Sequence, residues 1–394
     1  MTVLPPLVDP AGPLTEAEFA RYSRHVLLPE VGEIGQRRLK AARVLVIGAG
    51  GLGAPALQYL AAAGVGTIGV IDDDVVDETN LQRQVIHGTG DIGDHKVDSA
   101  IRAMVELNPL VEVTGHRQRL TEQNAPELFS QYDLVLDGTD NFPTRYLTCD
   151  AASAVNVPVL WASVLGFDAQ VSLFWADPPA GEGVTLRDVF PAPPAPGSVP
   201  SCSQAGVVGA MVGQIGSLMA AESVKLIIGA GESLLGRVIV FNQLRTTWSA
   251  VPIRPRTASA RNQAARVTPA PAPPLPTAPT PAAPTPAAPG VNYVDEEHAD
   301  ETLSGAALVD VREDDEVSAG MLPGARHIPL ALILTERGRD GLDPATPVVL
   351  YCAQGPRAER AAQELTSCGF TTYVLSGGYT AWDARLRSNP MEGA

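Results

Sequence analysis

Val44-Leu-Val-Ile-Gly-Ala-Gly-Gly-Leu-Gly-Ala-Pro55 is the stretch that decides the fold. Val44–Ile47 is a short apolar run of strand type, Gly48–Gly53 is a glycine turn, and the segment running to Ala63 has the composition of a buried helix. A second apolar strand, Thr67–Asp72, follows and ends on an acid 24 residues after Gly48. Strand, helix and strand in this order make the unit of a parallel α/β sheet. Gly48, Gly50, Gly51 and Gly53 let the backbone approach a pyrophosphate at a helix N-terminus, and Asp72 suits a ribose hydroxyl. Alone, the motif fits NAD binding, and it also fits a turn that merely packs helix on sheet.

The residues downstream pull away from hydride transfer. Thr79-Asn-Leu-Gln-Arg-Gln84 comes straight after the second strand, and Lys96 lies 13 residues beyond Arg83. Asp137-Gly-Thr-Asp-Asn141 closes a further strand, Leu134–Asp137. Two cations and a carboxylate able to hold Mg²⁺ suit a triphosphate whose α-phosphorus is attacked by a carboxylate substrate. Taken singly, Arg83 and Lys96 also fit a solvated face, and Asp140 a turn. Helices are expected at Glu16–Leu28, with Thr15 and Glu18 forming a capping box, and at Lys96–Leu107 and Phe142–Ala154. A strand is expected at Val159–Ala162.

Working outward, the chain has 394 residues, 44 of them acidic and 28 basic, for a formal charge of −16. That length allows two or three domains. The charge argues against nucleic acid and anionic membrane surfaces as partners. Ala54–Ile71 and Val207–Gly229 are interrupted by polar residues and read as buried helices of a soluble protein rather than membrane spans. Four scattered cysteines, Cys149, Cys202, Cys352 and Cys368, make no disulfide framework, and the N-terminus has no signal-peptide pattern, so a cytoplasmic location is expected.

Between Thr268 and Pro289, 10 of 22 residues are proline. Such a segment runs as polyproline II, and 22 residues span roughly 65–70 Å when extended. Either an inert spacer or a tether carrying one domain to another's active site fits. Three regions result: residues 1–253, a Pro/Ala/Thr-rich linker at 254–292, and a smaller α/β unit at 293–394. In the last, Ala307–Arg312 reads as a strand, and Val348–Tyr351 leads into Cys352-Ala-Gln-Gly-Pro-Arg357 and a helix at Ala358–Leu365. A thiol at a strand end, in a loop opening a helix, is held as an anion by inward amides, with Arg357 as added charge or brace. A buried structural cysteine ending a strand is the plainer alternative. Cys202, in Ser201-Cys-Ser-Gln-Ala-Gly206, divides likewise between a buried small hydrophobe and an exposed thiol of lowered pKa before a helix. Cys149 and Cys368 are assigned to structure.

Over Leu14–Pro252 the chain resembles the bacterial MoeB/ThiF family of ubiquitin-activating-type adenylyltransferases, through RYSRHVLLPEVGEIGQ, the glycine segment, ETNLQRQVIH, DLVLDGTDNFPTRYL and SVPSCSQAGVVG. Ala307–Trp382 resembles a single-domain rhodanese, through DVRE, the PGAxxIP turn, the six-residue Cys352 loop and LSGGYTAW. Together they give the architecture of the MoeZ-type adenylyltransferase/sulfurtransferases. The resemblance implies a doubly wound, Rossmann-like adenylating domain, acting as a homodimer and joined to the rhodanese domain. It implies that Gly48, Gly50, Gly51, Gly53, Asp72, Thr79, Asn80, Leu81, Gln82, Arg83, Lys96, Asp140 and Asn141 bind ATP. Asp140 also holds Mg²⁺, and Arg24 reaches the neighbouring protomer's nucleotide. The implied substrate is a ubiquitin-like sulfur-carrier protein ending in Gly-Gly, with thiosulfate or a cysteine desulfurase as sulfur donor. The implied chemistry is carboxylate adenylation, followed by sulfur transfer from a Cys352 persulfide with Cys202 as attacking or resolving thiol. Where the family commonly has two Cys-x-x-Cys pairs, FWADPPAGEGVTLRDVF and SAVPIRPRTASA contain no cysteine, so no zinc site is expected. The alternatives carried forward are an NAD-linked oxidoreductase with a redox-sensing rhodanese appendage, and a non-catalytic scaffold for carriers.

Overall fold

In the computed structural model, residues 3–194, 206–255, 292–294, 305–318 and 320–388 are described, and they fall in two compact units, Met1–Ala272 and Pro273–Ala394. Residues 256–291 of the expected 254–292 linker, and Cys202, lie outside the described residues; Asn292, placed in the linker, opens a strand.

Helix α1 (Glu16–Val26) starts on the expected capping box: Glu18 N–H donates to Thr15 Oγ1 at 3.2 Å, and Thr15 N–H to Glu18 Oε2 at 2.7 Å. It ends two residues before the expected Leu28. The chain continues through α2 (Gly32–Ala41), β1 (Arg43–Ile47), α3 (Gly53–Ala63) and β2 (Thr67–Ile71). After these come α4 (Lys96–Leu107), β3 (Glu112–His116), α5 (Ala125–Phe129), β4 (Leu134–Asp137) and α6 (Phe142–Ala154). The rest of the unit is β5 (Val159–Leu165), β6 (Asp168–Phe174), α7 (Leu186–Val189), α8 (Gly209–Ile228), β7 (Arg237–Asn242) and β8 (Thr247–Pro252).

One eight-stranded sheet runs through this unit in the order β3-β2-β1-β4-β5-β6-β7-β8. The first five strands pair in parallel, and β5 to β8 pair antiparallel. Val44–Ile47 are at most 3% exposed, because helices cover both faces of the parallel half, and this is why the strand reads as an unbroken apolar run. Burying each such side chain contributes about 1.5–3 kcal/mol. Helix α8 is long and apolar enough to cross a membrane by composition, and ten of its residues are buried in this unit.

The order reverses between β1 and β4, since β1 continues to β2 on one side while the chain returns to its other side. That switch point, at the carboxyl ends of β1 and β4, is where an open α/β sheet binds its ligand. The antiparallel half is a departure from the parallel reading. Beyond β5 neighbouring strands run in opposite directions, β6 reaching β7 by way of α7 and α8, and β8 at the sheet edge is exposed along its whole length.

The second unit contains β9 (Asn292–Val294), β10 (Ala307–Asp310), α9 (Asp314–Val317), β11 (Arg326–His327), α10 (Leu330–Ile333) and α11 (Glu336–Arg339). It closes with β12 (Val348–Tyr351), α12 (Pro356–Ser367), β13 (Thr372–Leu375) and α13 (Gly378–Ser388). Its sheet is wholly parallel, in the order β11-β10-β12-β13-β9. β10 stops at Asp310 rather than Arg312, where Asp310 turns its carboxylate onto the Arg312 N–H and guanidinium. Helix α12 begins two residues ahead of the expected start, with Pro356 at its first position, where the missing N–H has no partner to lose.

Candidate functional site

A cleft of about 270 Å³ opens at the switch point of the first sheet. Its floor is the glycine turn after β1. Gly48 takes a left-handed φ of 88°, and a Cβ on Gly53 would lie 1.8 Å from the Gly48 carbonyl oxygen, so the turn can close onto α3 only with glycine there. The middle of this loop is tied down by Ala49, whose N–H donates to Asp72 Oδ2 at 2.8 Å. Asp72 Oδ1 accepts from the Asp74 N–H at 2.8 Å. Burial pushes the Asp72 carboxyl above its usual range, against the opposing pull of Lys96.

Cations line the wall beyond β2. Lys96, at the first position of α4, has a side chain only 7% exposed, and its ammonium meets Asp74 Oδ2 at 2.8 Å. Arg83 donates from Nη1 to the Thr79 carbonyl at 3.0 Å, and Arg119 also lines the cleft. The opposite wall is the loop after β4. Asp137, fully buried, accepts from the Thr139 N–H and hydroxyl at 3.0 and 2.7 Å, and burial raises its pKa. Asp140 points an exposed carboxylate into this region, and Asn141 caps α6 by accepting from the Thr144 N–H at 3.0 Å. Helix α8 completes the wall. A Cβ on Gly209 would sit 2.2 Å from the Gln82 carbonyl oxygen, so the first turn of α8 rests directly on the Thr79–Gln84 segment.

In the second unit Cys352 follows β12 and is 2% exposed, and its Sγ accepts from the Gly355 N–H at 3.0 Å. The loop is held from behind by α13: Tyr379 N–H donates to the Cys352 carbonyl at 2.8 Å, and the Thr380 hydroxyl to the Ala353 carbonyl at 3.0 Å. A Cβ on Gly378 would lie 2.5 Å from the Cys352 oxygen. Arg357, in the first turn of α12, is 5% exposed and is gripped by both carboxylate oxygens of Glu316. Of the two roles expected for Arg357, the geometry favours the brace. Behind the loop, Arg312 pairs with fully buried Asp310 at 2.6 Å and stacks 3.7 Å over the Tyr379 ring. Cys149 is buried in the first unit's core, while Cys368 is exposed at the end of α12 and packs in no core.

A ThiF family model matches residues 22–262, and a rhodanese-like domain model matches residues 292–385. The chain is 46% identical to the probable adenylyltransferase/sulfurtransferase MoeZ of Mycobacterium tuberculosis, over 98% of both chains. It belongs to the ThiF family. Its ThiF portion is 47% identical to the sulfur carrier protein adenylyltransferase of Thermus thermophilus, covering 61% of this chain and 89% of that one. Adenylyltransferase and sulfurtransferase MOCS3 of Bos taurus is 36% identical over 96% of this chain and 88% of its own. Among solved structures, E. coli MccB with ATP shares the fold of the ThiF unit, with a TM-score of 0.53, 20% identity, and coverage of 61% of this chain and 74% of that one.

Within the ThiF unit, the cleft brings together Gly48, Gly50, Gly51, Asp72, Arg83, Lys96, Asp140 and Asn141. Gly53, Thr79, Asn80, Leu81, Gln82 and Arg24 do not line it. Thr79 and Asn80 are engaged in their own 3₁₀ turn: the Thr79 hydroxyl donates to Asp77 Oδ1 at 2.5 Å, and Asn80 Oδ1 accepts from the Asp77 N–H at 3.4 Å. Arg24 lies exposed in the last turn of α1. Residues not anticipated also line the cleft, among them Asp74, Gln84, Thr139 and Arg145. Arg145 donates from Nη2 to the Thr139 carbonyl at 3.1 Å, a partner reached only once α6 docks behind β4. Gln84 ends a motif already quoted, so its position carried a usable signal.

Proposed function

We propose that this chain adenylates the C-terminal Gly-Gly carboxylate of a ubiquitin-like sulfur-carrier protein and converts it to a thiocarboxylate. The observation that carries this reading is the meeting of glycine loop, Lys96, Arg83 and Asp140 in one cleft of a ThiF unit, on a chain that also presents Cys352 in a rhodanese-like loop. A dehydrogenase shares the glycine loop but has no use for Lys96, Arg83 and Asp140 beside it, and a scaffold uses none of this chemistry.

In the first step the carrier carboxylate attacks the α-phosphorus of ATP, and pyrophosphate leaves. The glycine loop and the N-terminus of α3 receive phosphate oxygens, while Arg83 and Lys96 offset developing charge. Thr79, Asn80, Leu81, Gln82 and Gly53 support this site from outside the cleft, and Arg24 completes it across a homodimer interface. Asp140, an exposed hard-oxygen donor at the cleft wall, fits Mg²⁺, which supplies charge neutralisation on the phosphates. The stretches 174–190 and 249–260 hold no cysteine, so no four-thiolate zinc site belongs to this reading.

Next, Cys352 takes a sulfur atom from thiosulfate or a cysteine desulfurase persulfide and becomes a persulfide. Its terminal sulfur attacks the acyl-adenylate carbonyl and expels AMP, leaving an acyl disulfide. The Cys202 thiolate then attacks the Cys352 sulfur, releasing the carrier thiocarboxylate and forming a Cys202–Cys352 disulfide. A cellular dithiol returns both to thiols with two electrons. The linker at 254–292, between the units 1–253 and 293–394, supplies reach. A cytoplasmic, reducing setting suits this cycle.

The test is the intact mass of a Gly-Gly-ended carrier after incubation with the chain, Mg-ATP, thiosulfate and a dithiol. Exchange of one oxygen for sulfur supports the reading. Pyrophosphate release without sulfur gain rejects thiosulfate as donor or, if a cysteine desulfurase also fails, the assignment of Cys352, and no pyrophosphate with any carrier rejects the adenylation site.

A further inference from the structure

His87 closes the segment Glu78–His87 but does not line the cleft, and nothing in the proposed chemistry uses it. It is 6% exposed, and both ring nitrogens are engaged. Nε2 lies 3.0 Å from the Ala49 carbonyl oxygen, and Nδ1 lies 2.8 Å from Ser99 Oγ. A carbonyl only accepts, so Nε2 carries a proton, while Nδ1 is paired with the Ser99 hydroxyl, which also meets Asp91. Burial lowers the pKa of the ring, helped by the Lys96 and Arg102 charges and opposed by the bond to Ala49 and by Asp91.

The two partners belong to different parts of the site. Ala49 is the centre of the glycine loop, already fixed on its N–H side by Asp72. Ser99 lies three residues after Lys96 in the first turns of α4. Loop and cation therefore come from segments nearly fifty residues apart, and the imidazole is a direct bond between them.

We propose that His87 is a positioning residue for adenylation, setting the glycine-loop amides in register with Lys96. The inference rests on the reading of this cleft as the ATP site. Rotation of the Ala49 peptide would re-aim Gly50 and Gly51, which line the cleft. Misplacement of this kind weakens binding and catalysis without altering any group that touches the nucleotide.

Two substitutions separate positioning from general packing. Glutamine extends its amide to where Nε2 sits and keeps the bond to Ala49; asparagine reaches the Nδ1 position and keeps only Ser99. Each removes one of the two bonds to the ring, and thermal unfolding reads what that loss costs in stability. The measurement is carrier-dependent ATP–pyrophosphate exchange by the full chain, with kcat and KM for ATP resolved, alongside thermal unfolding. His87→Asn is expected to raise KM for ATP and lower kcat/KM about tenfold, the scale of one lost hydrogen bond, while His87→Gln stays within about threefold of wild type. Equal kinetics in both variants, or losses that follow unfolding temperature alone, would overturn the inference. Absence of exchange in the wild-type chain would instead overturn the adenylation reading and this inference with it.

Discussion

Glu316 takes the guanidinium of Arg357 with both carboxylate oxygens, Oε1 lying 2.6 Å from Nη2. Burial pushes the Glu316 carboxyl up, but Arg357 outweighs it and holds its pKa below the ordinary value. The pair joins α9, which follows β10, to the first turn of the helix that Cys352 precedes. Glu316→Gln keeps the shape and removes the charge. It is expected to destabilise the rhodanese unit by about 1–3 kcal/mol, since Arg357 stays buried without its counter-ion. Thiosulfate-to-cyanide sulfur transfer should fall while ATP–pyrophosphate exchange holds, and unchanged sulfur transfer would show that Arg357 needs no partner.

Cys352→Ala deletes the one thiol seated in that loop. Adenylation should proceed at wild-type rate, and no carrier thiocarboxylate should appear by intact mass. Thiocarboxylate formed by the variant would move the sulfur-bearing role to another cysteine.

Gly378→Ala probes the same loop from behind, because its Cβ would fall 2.5 Å from the Cys352 oxygen at a φ of +62°. The loop and α13 must part, breaking the Tyr379 to Cys352 bond. We expect the Cys352 persulfide, read by mass after thiosulfate treatment, to drop at least about tenfold, with a loss of ~2 kcal/mol or more from overpacking and strain. Persulfide at the wild-type level would mean that α13 does not seat the loop.

Lys96 and Asp74 are unequally placed: the lysine side chain is 7% exposed and the aspartate side chain 67%. Phosphates entering the cleft must draw the ammonium away from Asp74. Asp74→Asn should therefore tighten ATP about two- to fivefold, in keeping with the modest worth of a half-exposed pair. Isothermal titration with a non-hydrolysable ATP analogue measures it, and weaker binding would instead place Asp74 among the groups that hold the nucleotide.

Acid should loosen the ThiF unit through its histidines. Burial lowers His87 and His116 from 6.5, so the unfolded chain takes up protons that the folded chain refuses. The stability each contributes is complete above about pH 6.5 and declines as pH falls toward the folded value, by at most ~1.4 kcal/mol per pH unit per group. Wild type should lose more unfolding temperature than His87→Gln between about pH 7.5 and 5.5. Parallel losses would mean that His87 does not titrate in this range.

Much of the site was legible because it is built on local rules. The β1 run, the glycine turn and Asp72 form one continuous stretch, and Lys96–Leu107 and Phe142–Ala154 occupy the spans expected from their apolar spacing. The antiparallel half was not legible, since β6 to β8 are set by pairing across the sheet rather than by any local pattern. Thr79 and Asn80 were anticipated at the nucleotide, yet Asp77 competes for both in a three-residue turn. His87 and Arg145 carry no periodic signal. Their places depend on α4 and α6 docking against strands far away in sequence.

Gly209, pressed against the Gln82 carbonyl, has a further consequence. Six residues, 203–208, separate Cys202 from that first turn of α8 in the sequence. The tip of this helix, half of whose residues are buried, leans on Gln82 and Arg83. A side chain at position 209 would have to push this segment away, so the seating of one long core helix and the shape of the cleft wall are decided at a single glycine.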